Sequence, residues 1–104
     1  MSYQIIIEEI DTRDFPRARG TAYVWNEHAM VESFNFLAVI DDEIEAEIDE
    51  NCTKEQFQFP GFEGAYILEK LDFIPHATVS DELRSAIFEQ CVRLVHMMNG
   101  RGSD

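Results

Sequence analysis

Short runs of β-branched, aromatic or alternating apolar residues, separated by turn signals, fill much of the first forty positions, which predicts strands rather than helices. Tyr3 to Ile10 is one such segment, with β-branched Ile5, Ile6 and Ile7 at its centre and Glu8-Glu9 ending the apolar run. Asp11 to Gly20 reads as a loop, because it holds Asp, Thr, Asp, a Phe-Pro step and a closing Gly. Thr21 to Trp25 reads as a second strand and Asn26 to Met30 as a turn. Ser33 to Ile40 is the clearest strand. Phe34, Phe36, Ala38 and Ile40 share one face, and Ser33, Asn35, Leu37 and Val39 share the other. The second face turns apolar toward its end, as expected of a central strand covered on both sides there.

The pattern then changes character. Asp41 to Glu50 carries seven acids in ten residues and no base. Glu43, Glu45, Glu47 and Asp49 fall on every second position, with Ile44, Ala46 and Ile48 between them. A turn at Asp41-Asp42 would fold this stretch back on Ser33–Ile40 as a hairpin, with one apolar face and one row of carboxylates. The rival reading is a helix with Ile44 and Ile48 on one stripe. It is disfavoured because Glu47, Asp49 and Glu50 would load the negative C-terminal end.

Further on, Thr53–Gln58 reads as a single helical turn, Pro60-Gly61 as a turn, and Ala65–Ile74 as a strand stopped by Pro75. The strongest signal is a C-terminal helix over about 79–99. Thr78 or Ser80 caps it, and Asp81 and Glu82 occupy its first turn. Leu83, Ile87, Cys91, Leu94, Val95 and Met98 form its core stripe, Glu89 and Arg93 pair at i,i+4, and Asn99-Gly100 ends it. Phe88, Val92 and Met97 make this helix apolar beyond one face. Either the sheet wraps it widely or a second helix, from another subunit, packs there. These elements predict one α+β domain over 1–104: an antiparallel sheet of four to five strands with the C-terminal helix packed on one face.

Charge adds a functional constraint. The chain has 104 residues, 21 acids and 8 lysines and arginines, for a formal net charge of −13. Such a surface repels nucleic acid and anionic membranes. No apolar run approaches the roughly 18 residues of a membrane helix, and no basic leader precedes the first strand, so a cytoplasmic protein is expected. Cys52 and Cys91 are far apart, which points to two reduced thiols, with Cys91 in the core.

Catalytic spacing is absent. His28, His76 and His96 are scattered, with no HExxH, CxxC or GxSxG, and no Gly-rich phosphate loop is present, so no catalytic residue and no cofactor is assigned. Glu27-His28 are neighbours in a turn, a poor acid–base geometry, and His96 near the helix C-terminus reads as structural. Asp41, Asp42, Glu43 and Glu45 are hard oxygen ligands, yet acids alternating along a strand do not converge, so no metal site is assigned. Arg13, Arg17 and Arg19 flank Phe15-Pro16. They read either as a contact site or as partners for the chain's own surplus acids, the latter favoured by the excess of acids. Phe57, Phe59 and Phe62 read as core packing, with an exposed apolar patch for a partner as the alternative.

The acidic row is therefore the candidate binding surface, comprising Asp41, Asp42, Glu43, Glu45, Glu47, Asp49 and Glu50. Neighbouring carboxylates about 6.7 Å apart repel by about 0.6 kcal/mol in water. That cost is tolerable without a function but leaves room for one. The reading is a small, non-enzymatic protein-binding domain. In its sharp form the chain is an inhibitor that mimics nucleic-acid charge and fills the basic groove of a nucleic-acid-binding protein, as phage or mobile-element anti-defence proteins do. The alternatives are an accessory or adaptor domain, homodimeric through the C-terminal helix, and a small cation-dependent enzyme.

Overall fold

The computed structural model describes residues 2–13, 15–41, 55–61 and 64–98. Strand β1 spans Ser2–Asp11, β2 Arg17–Trp25, β3 Met30–Asp41, β4 Gln56–Phe57 and β5 Tyr66–Ile74, and helix α1 spans Asp81–Met98. The strands form one curled antiparallel sheet in the order β1-β2-β3-β5-β4, with α1 packed against it. This is the α+β architecture that the period-two and helical patterns predict.

Alternation decides which side of each strand faces the helix. On the inner face Phe36 lies opposite Gly20 and Phe73, and Ala38 lies opposite Ala18 and Leu71. Phe36, Ala38, Ile40, Ala18 and Ala22 are all essentially inaccessible to solvent. The outer face carries Thr21, Asn35, Leu37, Val39 and the arginines of β2. Leu37 and Val39 are only half-buried. β3 is therefore central, as expected, but it is not fully covered on both sides.

Three bulges interrupt the ladders. β1 gains Glu8 between the Ile7–Gly20 and Glu9–Arg19 pairs, β3 gains Val31 opposite the Val24–Trp25 step, and β5 gains Glu69 opposite the Val39–Ile40 step. Each extra residue adds local twist and helps the sheet curl. The turn between β2 and β3 is closed by Asn26, whose Oδ1 accepts hydrogen bonds from the amides of His28 (3.0 Å) and Ala29 (2.9 Å). The expected turn is thus correct except that Met30 already belongs to β3.

The structure corrects several other expectations. Asp11–Gly20 is not one loop: β1 continues to Asp11, β2 begins at Arg17, and only 12–16 connect them. Pro16 is buried there, and its carbonyl accepts a 2.8 Å hydrogen bond from the Ile40 amide. Thr53–Gln58 does not form a helical turn over its described part. Gln56 and Phe57 pair instead with Ile67 and Tyr66, and the Glu55 carbonyl accepts the Leu68 amide at 3.0 Å. The place beside β3 expected for an acidic hairpin partner is filled by β5, from Asn35–Ile74 to Asp41–Ile67, while β2 fills the other edge. Residues 42–54, on which the hairpin and helix readings of the acidic run fall, lie outside the described residues.

The helix begins as its sequence suggests. Ser80 is the cap: its Oγ accepts the Leu83 amide at 3.2 Å and its carbonyl accepts the Arg84 amide at 3.1 Å. Leu83, Ile87, Cys91 and Val95 are buried as expected, but Leu94 is half-buried and Met98 is exposed. Phe88, Val92 and His96 are buried in their place. Phe57 and Phe59 account for the rotation of the stripe. Phe57 meets Phe88 edge-on with ring centres 6.5 Å apart, and Phe59 stacks on His96 at 4.1 Å. Phe62 and Asn99-Gly100 lie outside the described residues.

Candidate protein-binding surface

Of the seven acids singled out in the sequence, Asp41 is described. It ends β3, lies opposite Ile67 and is half-buried. Asp42, Glu43, Glu45, Glu47, Asp49 and Glu50 lie outside the described residues. Ile67 pairs with Asp41 on one side and with Gln56 on the other. β5 thus lies between Asp41, the last described residue of β3, and Gln56 of β4.

The same end of the sheet holds the arginines. Arg17 lies opposite Asp11 on β1 and Val39 on β3, two residues before Asp41. Arg13 and Arg17 line a shallow polar depression of about 300 Å³ with Asp11 and Phe15. Sequence reasoning placed Arg17 and Arg19 in a loop, whereas β2 projects them from the open face of the sheet. The alternation Arg-Ala-Arg-Gly was the available signal.

Most of these cations are already engaged. Arg13 donates to the Asp11 carboxylate through Nη2 (2.8 Å), Nε (3.1 Å) and its own amide (3.0 Å). Arg19 pairs with Glu9, Lys70 with Asp72, Arg84 with Glu55 and Arg93 with Glu89. Five of the six described lysines and arginines therefore sit on the chain's own carboxylates, and Arg17 is the exception. Four of these pairs are well exposed and contribute little to stability. Their significance is that the bases are occupied and the acidic surplus remains.

Asp11 shows the electrostatics most clearly. The hydrogen bonds from the Arg13 side chain, then that from its amide, hold its carboxyl down to about 2 from an ordinary 3.8. Desolvation opposes this, and the charges of Arg13 and then Arg17 lower it further. Because the folded value is the lower one, the contribution to stability is complete above about 3.8 and is lost as pH falls through about 2. A carboxyl-carbon NMR titration is expected to place the Asp11 midpoint near 2, and Arg13→Ala to return it toward 3.8. An unshifted midpoint in the wild-type chain contradicts the geometry.

The candidate chemical groups are not assembled. Glu27 and His28 approach to 3.9 Å but are about nine-tenths exposed, so nothing orients them for proton transfer. Cys91 is buried and its thiol is pushed up to about 12 by desolvation, which leaves it a poor nucleophile. His96 is buried, and its Nδ1 shares a 2.7 Å hydrogen bond with the Tyr66 hydroxyl. Among the described residues no three His, Cys, Asp or Glu side chains converge as metal ligands, and no helix is long and apolar enough to cross a membrane. Cys52 lies outside the described residues.

The helix bears on the homodimer alternative. Its apolar surplus at Phe88 and Val92 is buried within the chain, leaving Met97 and Met98 as its large exposed apolar residues. No family model, curated protein or solved structure matches the chain.

Proposed function

We propose that this chain is a non-enzymatic binding protein whose carboxylates engage a basic protein surface. The sharpest form is an inhibitor that fills the groove where a nucleic-acid-binding protein would hold a phosphate backbone, as in anti-defence proteins of phages or mobile elements. One observation carries the reading. With five of the six described bases held in internal ion pairs, Arg17 is the one described base outside such a pair, against a net charge of −13. A field of that sign speeds encounter with a basic groove and selects against acidic partners.

The test is charge reversal within the run. Glu43→Lys/Glu45→Lys/Glu47→Lys is expected to keep the wild-type melting temperature within a few degrees and to weaken binding to a partner captured from the source cell by at least ~100-fold. Wild-type binding should fall steeply as salt rises, because the contacts are between charges. A triple variant that captures the same partner with undiminished affinity removes the proposal.

A further inference from the structure

The outer edge of β1 is the remaining large recognition surface, and we propose that it pairs with the same edge of a second copy of this chain. β1 ends the sheet, and among the described residues no strand covers it. Edge strands normally carry a charge, a proline or a bulge that blocks further pairing. β1 has these only in its second half, where Glu8 forms a bulge and Glu9 follows it. Ser2–Ile7 holds no charge and no proline. Ile6 points away from the helix and is 42% exposed, large for an isoleucine within a strand.

The segment suits itself better than it suits a basic strand, because it offers no carboxylate for a cation to pair with. An antiparallel two-fold centred on Ile5 sets Ile5 against its own copy, Gln4 against Ile6, and Tyr3 against Ile7. Glu8 then falls opposite Ser2 of the second copy. The two Glu8 side chains lie six residues apart along the ladder, about 20 Å, or roughly two Debye lengths at physiological salt. The bulge at Glu8 ends the pairing at the Tyr3–Ile7 pairs, so the two glutamates sit at opposite ends of the ladder. Five paired residues a side, Tyr3 to Ile7, make an interface at the small end of specific ones, below about 1,200 Å², so the dimer is reversible. Two chains of −13 repel at long range, and salt relieves that repulsion. Self-association therefore strengthens with salt, opposite in sign to the acid-mediated binding proposed above, so each idea can fail without the other.

Sedimentation velocity on the full chain, from about 10 to about 500 µM, reads the equilibrium directly. The wild type is expected to dimerise with rising concentration, more strongly at about 0.5 M salt than at about 0.05 M. Gln4→Lys/Ile6→Lys places two ammonium groups opposite each other at each Gln4–Ile6 position and is expected to raise the dissociation constant at least ~10-fold. Gln4→Glu/Ile6→Lys replaces that repulsion with attraction and is expected to restore dimerisation to within ~3-fold of wild type. Both changes lie on the exposed face, and circular dichroism checks that the monomer stays folded. A wild type that remains monomeric throughout overturns the proposal, as does association that weakens with salt. So does a dimer that survives Gln4→Lys/Ile6→Lys but is lost in Met97→Ser/Met98→Ser, which would place the interface at the helix end.

Discussion

Alanine at position 20 is expected to cost the fold about 3 kcal/mol or more, a large part of a domain's ~5–15 kcal/mol. A Cβ built on Gly20 would lie 2.0 Å from the Ile6 carbonyl oxygen, 2.9 Å from Ile7 Cα and 3.0 Å from the Ile6 carbonyl carbon. All three are backbone atoms, so no rotamer change relieves the contact. Gly20 is paired with Ile7 immediately before the β1 bulge, where the two backbones come closest. Making room means separating β1 from β2 beside the inner-face residues Ile5 and Ile7, which pack on the core. Urea unfolding of Gly20→Ala should show a midpoint well below wild type, or no native baseline at all. A loss within about 0.5 kcal/mol, the range of an ordinary surface substitution, is incompatible with the close approach.

His96→Ala is expected to cost about 2–4 kcal/mol, and Tyr66→Phe about 1–2 kcal/mol. The imidazole stacks on Phe59 with ring planes 23° apart and shares a hydrogen bond with Tyr66, a residue with no solvent exposure. On the outside, the Arg93 guanidinium lies 5.7 Å from the Phe59 ring centre. Truncating His96 removes the stack, opens a gap beside Phe59 and takes a partner from a buried hydroxyl. Tyr66→Phe removes only the hydroxyl. The double variant should lose less than the sum of the two, because both singles break the same hydrogen bond. Additive losses would mean that the contact contributes nothing of its own.

What the sequence made legible follows from how local each signal is. Ile5-Ile6-Ile7 and Phe34-Asn35-Phe36 state their strands through side chains that contrast strongly from one position to the next. Arg17-Ala18-Arg19-Gly20 alternates just as strictly between exposed and buried, but its inward residues are so small that the segment resembles a loop. The smallness is required, since Gly20 faces a backbone rather than a cavity. The β3–β5 pairing was not legible, because β5 is more than twenty residues away and a nearby acidic segment offered a shorter loop to close. Leu83, Ile87, Cys91 and Val95 were read correctly from their own spacing. Phe88, Val92 and His96 depended on Phe57 and Phe59, whose position comes from a two-residue strand with no periodicity to detect. Of the candidate binding surface, the sequence supplied the acids and their spacing. That Arg19 is paired with Glu9 required the register of β1 on β2, whereas the Arg13–Asp11 pair is local.

Asp41 and Gln56 flank the same residue of β5, Ile67, from opposite sides. Asp41 and Gln56 are separated by two strand spacings, roughly 10 Å. A short flexible bridge spans that gap, and every strand pairing described above lies outside the stretch it would replace. The described strand register is therefore compatible with a connection of any length between Asp41 and Gln56 that can span this gap.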